Sequence, residues 1–204
     1  MDDSDRNRFI SLLYLHNSGA SITIRDMLKD GYTEESLFDF PTNDHCVDIG
    51  AYCLMDNHFH LLVKEINDNG VSHFMQKLVT AYTMYFNKKY KRVGPLFQGV
   101  FKAELADDDL YLQYLYVYIH LNPLKMFDEG WRRGEEISQP LMQNIFLYRY
   151  SSFLDYSQNE EKRAQSKILN KSEFSQYFQN YNDFLKYRIE WLTFNRGPTS
   201  VGGD

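Results

Sequence analysis

Only two cysteines occur among the 204 residues, Cys46 and Cys53. Their spacing is neither a metal-binding nor a redox pattern, so both read as small core residues in a reducing compartment. No apolar run approaches the eighteen or so residues of a membrane span. The opening Met1-Asp2-Asp3-Ser4-Asp5 is acidic and unlike a signal peptide. These absences point to a cytoplasmic protein with no membrane partner. There is also no nucleotide-binding glycine loop and no internal repeat.

An overall basic excess is missing too: the net charge is −6. A chain that grips phosphates usually shows a basic face, so the distribution matters more than the sum. Residues 1–63 carry a net −7, residues 64–104 a net +4 and residues 105–204 a net −3. The densest positive stretch is Lys88-Lys89-Tyr90-Lys91-Arg92. Cations interleaved with an aromatic suit single-strand phosphates and stacked bases, although a solvated helix end has the same composition. The localised excess implies a small nucleic-acid footprint. The remaining composition, 43% apolar and 25% charged, is that of a globular chain able to bury a sizeable core.

Hydrophobic periodicity predicts a helix over residues 4–16, a short helix over 34–38 and two strands over 45–55 and 58–64, joined tightly at Asp56-Asn57. A long amphipathic helix over 71–90, a third strand over 97–104 and a helix over 107–121 follow. The order helix, strand, strand, helix, strand, helix is that of an α+β, ferredoxin-like antiparallel sheet packed with helices, with its first strand missing. Residues 1–155 form the expected main domain, 156–196 a helical extension that covers the core and 197–204 a flexible tail.

Within the second strand, His58 and His60 are two residues apart and so share one face, with Phe59 on the other. Two imidazoles aimed the same way from a strand are half of a metal site. Taken alone, the pair reads more readily as two edge-strand histidines. The helix at 107–121 supplies a second half. Tyr111, Tyr114, Tyr118 and Asn122 follow steps of three and four along one face. Tyr118 then offers a phenol, and Asn122 an amide oxygen, toward the same place. Tyr111 and Tyr114 read as an aromatic stripe packed on the sheet. Pro123 disfavours helical geometry at Asn122, so the helix is expected to end there.

Four stretches carry a resemblance: residues 52–62, which hold His58 and His60; Tyr85-Phe86-Asn87-Lys88-Lys89-Tyr90; residues 94–102, from Gly94-Pro95 to Lys102; and Tyr118-Ile119-His120-Leu121-Asn122-Pro123. A weaker echo continues in Tyr148-Arg149-Tyr150-Ser151-Ser152-Phe153. In this order and spacing the chain resembles the single-tyrosine HUH transposases, in the branch of REP-associated tyrosine transposases. The resemblance implies a nuclease and strand transferase acting on single-stranded, hairpin-forming DNA ends through a 5′-phosphotyrosine. Tyr118 would be the nucleophile. His58, His60 and Asn122 would hold a divalent cation, Mg²⁺ or Mn²⁺. Lys88, Lys89, Tyr90, Lys91, Arg92 and Lys102 are the candidate DNA contacts. Tyr116 and His120, another pair four residues apart, read as structural.

The chain departs from the family in two places. Family members open with a strand that pairs in the middle of the sheet, and here Met1 stands almost directly before the first helix. The strand bearing the histidines is therefore expected to lack a neighbour, with a pressure to associate that leaves the choice between monomer and homodimer open. Asp56 stands where the family has proline. The rival readings are a transposase-derived protein that binds DNA hairpins without cutting them, and a replication or conjugation nickase.

Overall fold

The computed structural model describes residues 1–19, 23–131, 138–157, 163–174, 177 and 183–184. The first helix, α1 (Asp3–Leu15), begins one residue before Ser4. Asp2 caps it, accepting the Asp5 amide at 2.9 Å while the Asp5 carboxylate accepts the Asp2 amide at 2.9 Å. This reciprocal cap satisfies two amides that a helix start leaves open. A six-residue helix, α2 (Ile24–Lys29), is capped by Thr23. It is too short for periodicity to reveal.

Strands β1 (Val47–Leu54) and β2 (Phe59–Glu65) pair antiparallel. The Met55 amide bonds the His58 carbonyl at 2.8 Å, closing the two-residue loop expected at Asp56-Asn57. The long helix α3 (Gly70–Tyr90) buries Phe74, Met75, Leu78 and Tyr82, one face at helical spacing. Helix α4 (Asp109–Leu121) is capped by Asp108. Two shorter helices follow, α5 (Gln139–Leu147) and α6 (Phe153–Ser157).

Both faces of the sheet are covered, which is why every residue of β1 is buried. Phe59, Leu61 and Val63 of β2 pack into the core that α1 and α3 share with Val47, Ile49, Tyr52 and Leu54. On the opposite face Leu62 joins Ala51, Cys53 and Met55 against Tyr116 and Ile119 of α4. The core-facing residues of β1 thus change parity, odd at Val47 and Ile49 and even at Tyr52 and Leu54. The cause is a bulge: Ile49 pairs with Val63 but Ala51 with Leu62, leaving Gly50 as the extra residue. A Cβ on Gly50 would lie 2.8 Å from the Phe174 ring, so only glycine fits there without a shift of that ring.

The two edges of the sheet differ. Residues 148–157 and 163–170 cover the β1 edge. Leu54 N bonds Tyr150 O at 3.0 Å, Ser152 N bonds Tyr52 O at 2.9 Å and Asn170 N bonds Ile49 O at 3.0 Å. Arg163 holds this cover in place. It reaches the carboxylate of buried Asp155 at 3.0 and 2.5 Å and the carbonyls of Arg149 and Ser151 at 2.9 and 3.0 Å. At the other edge, β2 has no second strand partner among the described residues.

Two expectations are corrected. Residues 97–104 are irregular, not a third strand, and the sheet among the described residues has two strands. A strand exists only where a neighbour takes its ladder hydrogen bonds, and these residues pair with none. Asn122 is not extended: it keeps helical dihedrals (φ −54°, ψ −35°) and starts a 3₁₀ turn, Asn122–Met126. Pro123 takes the first turn of that helix, where its missing N–H costs nothing. Within the expected helical extension at 156–196, the described residues include two 3₁₀ turns, Ala164–Ile168 and Lys171–Glu173. Much of that extension, and the whole tail at 197–204, lie outside the described residues.

Candidate catalytic and metal site

Strand alternation decides where the histidines go. Phe59 and Leu61 are committed to the α1/α3 core, so His58 and His60 stand on the α4 side. Helix α4 crosses that side and presents Tyr118. The His60 and Tyr118 rings meet edge to face, centroids 5.3 Å apart, and the His58 ring meets the His60 ring edge to face at 4.9 Å. His58 is exposed, while His60 and Tyr118 are half-buried. Two segments sixty residues apart in the chain thus bring three of the expected site residues together.

Asn122 lies one turn beyond Tyr118, 1% exposed, its Nδ2 donating to the Tyr118 carbonyl at 3.3 Å. That bond orients the amide and leaves Oδ1 as its acceptor end. Asn57 accepts a 2.7 Å hydrogen bond at its Oδ1 if Nδ1 of His58 carries the proton. In that tautomer Nε2 holds the lone pair, the arrangement of a metal-ligating histidine. The His58 pKa lies below the ordinary imidazole value, first because neighbouring atoms exclude water and second because of the Lys125 charge. Neutral imidazole, the ligand form, is favoured.

Among the described residues, no three His, Cys, Asp or Glu side chains are grouped so that they alone could hold a metal ion. A cation here would have to be held by the two imidazoles and a neutral oxygen such as that of Asn122. Such a mixed nitrogen and oxygen set fits Mn²⁺ or Mg²⁺ and leaves room for water and phosphate oxygens.

Lys125 went unnoticed in the sequence. It sits three residues after Asn122 in the 3₁₀ turn, where side chains at that spacing eclipse. The signal was its position two residues after Pro123. Asn57 was noticed only as a turn residue. Asp56, one residue earlier, pairs with Arg6 of α1 at 2.6 Å and so ties the hairpin loop to the first helix.

Tyr116 and His120 are buried behind the site. His120 Nε2 meets Ser152 Oγ at 2.8 Å, and burial pushes its pKa down to about 3.

The basic stretch is exposed throughout, but two of its members are engaged with acidic side chains. Lys89 Nζ lies 2.7 Å from carboxylate oxygens of both Asp2 and Asp5, and Tyr90 donates to Asp5 at 2.7 Å. These two residues are engaged at the start of α1. Lys88, Lys91, Arg92 and Lys102 are exposed. Nothing in the geometry joins Lys89 or Tyr90 to the histidine–tyrosine cluster.

Residues 25–122 match the family model described as Transposase IS200 like, a span that holds His58, His60, Tyr118 and Asn122 and ends at Asn122. This stretch of the chain belongs to the transposase IS200-like family. No curated protein and no solved structure matches the chain. A transposase of this family acts on DNA, and no helix among the described residues is long and apolar enough to cross a membrane.

Proposed function

We propose that this transposase cuts and rejoins single-stranded DNA beside a hairpin, with Tyr118 as nucleophile and a divalent cation held by His58, His60 and Asn122. The observation that carries the reading is the meeting of the Tyr118 and His60 rings at 5.3 Å, with His58 alongside. A bound divalent cation would neutralise a non-bridging phosphate oxygen and so lower the barrier to attack.

The phenolic oxygen of Tyr118 attacks phosphorus and a tyrosine–phosphate bond forms. The bond from phosphorus to the 3′ oxygen breaks. The phenolic proton goes to solvent and the departing oxygen takes one up, leaving a free 3′ hydroxyl and a 5′-phosphotyrosine. The covalent link keeps the phosphodiester energy, so a 3′ hydroxyl from a second strand reverses the step and joins new ends. No nucleotide cofactor is required. Lys125, beside His58, supplies positive charge toward the bound phosphate.

The alternative is a protein that binds hairpins without cutting. The irregular course of residues 97–104 favours it, because a sheet of two strands holds the histidine strand along one edge only. Incubation of the full chain with end-labelled hairpin DNA and Mn²⁺ tests both. A covalent protein–DNA band on a denaturing gel is the expected result. Tight hairpin binding with no such band would overturn cutting and leave the alternative.

A further inference from the structure

His120 lies on α4 two residues beyond Tyr118 and is 2% exposed. Its Nε2 meets the Ser152 hydroxyl at 2.8 Å. The bond forms in either tautomer, because a hydroxyl can donate to a ring nitrogen or accept from it. Ser152 is itself fixed to β1 at two points. Its amide donates to the Tyr52 carbonyl at 2.9 Å, and its hydroxyl accepts the Tyr52 amide at 2.9 Å. One residue along, Cys53 bridges to Ser151 on one side and pairs with His60 on the other. Two adjacent rungs of β1 therefore connect the seat of His120 to the strand that carries His60.

We propose that His120 is a positioning residue for the proposed Tyr118 reaction, on which this role rests: its bond to Ser152 fixes the roll of α4 over the sheet and so holds the phenol beside the imidazoles. Side chains two residues apart leave a helix on nearly opposite flanks, about 160° from one another. A helix gripped on one flank carries the other with it. Rolling α4 by about 10° would move a side-chain tip about 6 Å from the axis through about 1 Å. A misplacement of about 1 Å can lower a rate about 100-fold.

Packing alone specifies that roll poorly. Tyr116 and Ile119 of α4 meet Ala51, Cys53, Met55 and Leu62 through largely apolar surfaces, whose attraction has little direction. A buried hydrogen bond is directional, and moving off it strands two desolvated polar groups. The imidazole is also held from the side. The Phe153 and Tyr156 rings lie 6.0 and 5.4 Å from it, and Tyr156 donates to the Gly50 carbonyl of β1 at 2.5 Å.

The test uses the full chain carrying His120→Phe, which keeps a ring in the same place and loses Nε2. Adduct formation on end-labelled hairpin DNA with Mn²⁺ is followed in a single turnover. DNA affinity, melting temperature and the nuclear Overhauser contact between the His60 and Tyr118 rings are measured beside it. We expect the adduct rate at saturating DNA to fall about 10- to 100-fold and the ring contact to weaken, while affinity and melting temperature change little. His120→Gln, whose amide reaches as far as Nε2, should restore both rate and contact. Ser152→Ala removes the same bond from the other side, so the double variant should be no slower than the slower single one. Should His120→Phe fail to fold, Ser152→Ala is read by the same criteria. Unchanged rate and ring contact in folded His120→Phe would overturn the positioning role. So would rates in all three single variants that follow melting temperature alone, the behaviour of a merely structural residue. Absence of an adduct in the unaltered chain would count against the proposed reaction instead, and the ring contact would then decide the positioning by itself.

Discussion

The His60 and Tyr118 rings, from residues 58 positions apart in the chain, meet edge to face with centroids 5.3 Å apart. The contact itself contributes little to stability. Its value is positional, since it sets the phenol beside the two imidazoles.

Tyr118→Phe removes one oxygen and leaves the ring contacts intact. Covalent adduct formation should be abolished, with hairpin affinity and thermal stability nearly unchanged. Denaturing gels and a melting curve measure both. Undiminished adduct would move the nucleophile to another tyrosine, and Tyr116 and Tyr114 would be examined next.

His58→Ala with His60→Ala should eliminate cleavage and calorimetric Mn²⁺ binding together, because a lone amide oxygen holds divalent ions poorly. Equal Mn²⁺ heats in parent and variant would make the pair structural only.

Lys89 is expected to act in folding rather than in DNA contact. Replacing it with Met should destabilise the chain, whereas alanine at Lys88, Lys91 or Arg92 should weaken DNA binding and flatten its salt dependence. The pH dependence has a definite sign. Burial raises the Asp5 pKa, but the bonds from Lys89, Tyr90 and the Asp2 amide outweigh it, and the folded value lies below the ordinary 3.8. The stabilisation is therefore complete above that value and lost as pH falls through the folded one. Acid titration of the Lys89→Met variant should show a smaller loss. A Lys89→Met chain of full stability but poor DNA affinity would reverse the assignment.

Arg163→Ala leaves the Asp155 carboxylate, 1% exposed, without its guanidinium. Removal of one partner from such a pair costs about 3–5 kcal/mol. Urea denaturation should show a loss of that order, and protection of the β1 amides against hydrogen exchange should fall with it. A change below about 1 kcal/mol would mean that the cover over β1 is held by other contacts.

The edge of β2, without a second strand partner among the described residues, and a loop that exposes Val100 at 85% and Leu105 at 81% should make the protein associate as concentration rises. Sedimentation should show the effect, and Val100→Glu with Leu105→Glu should reduce it. A single monomeric species at every concentration would show that the edge is protected in another way.

Much of this arrangement was legible in the sequence, for local reasons. Alternation along residues 58–64 placed both histidines on one face, and steps of three and four placed Tyr118 above Asn122. What escaped depended on distant partners. The need for glycine at residue 50 is explained by Phe174, far along the chain. Lys89 reads as a DNA contact until Asp2 and Asp5, 87 and 84 residues away, are found beside it. Residues 97–104 alternate like a strand, but pairing needs a neighbour, and composition does not report one. The helical dihedrals of Asn122 depended on Pro123 opening a second helical turn, a use of proline that its usual role as a terminator conceals.

The position of the Gly50 bulge bears on how freely this hairpin can vary. Between the bulge and the Asp56-Asn57 loop, four pairs from Ala51–Leu62 to Leu54–Phe59 run in unbroken register. The loop sets that register from one side, and the extra residue absorbs mismatch on the other. A residue gained or lost before Ala51 would alter the far half of the strand and leave the histidines facing α4. The hairpin therefore has a variable end and an insulated end, and the two histidines of the proposed site sit on the insulated one.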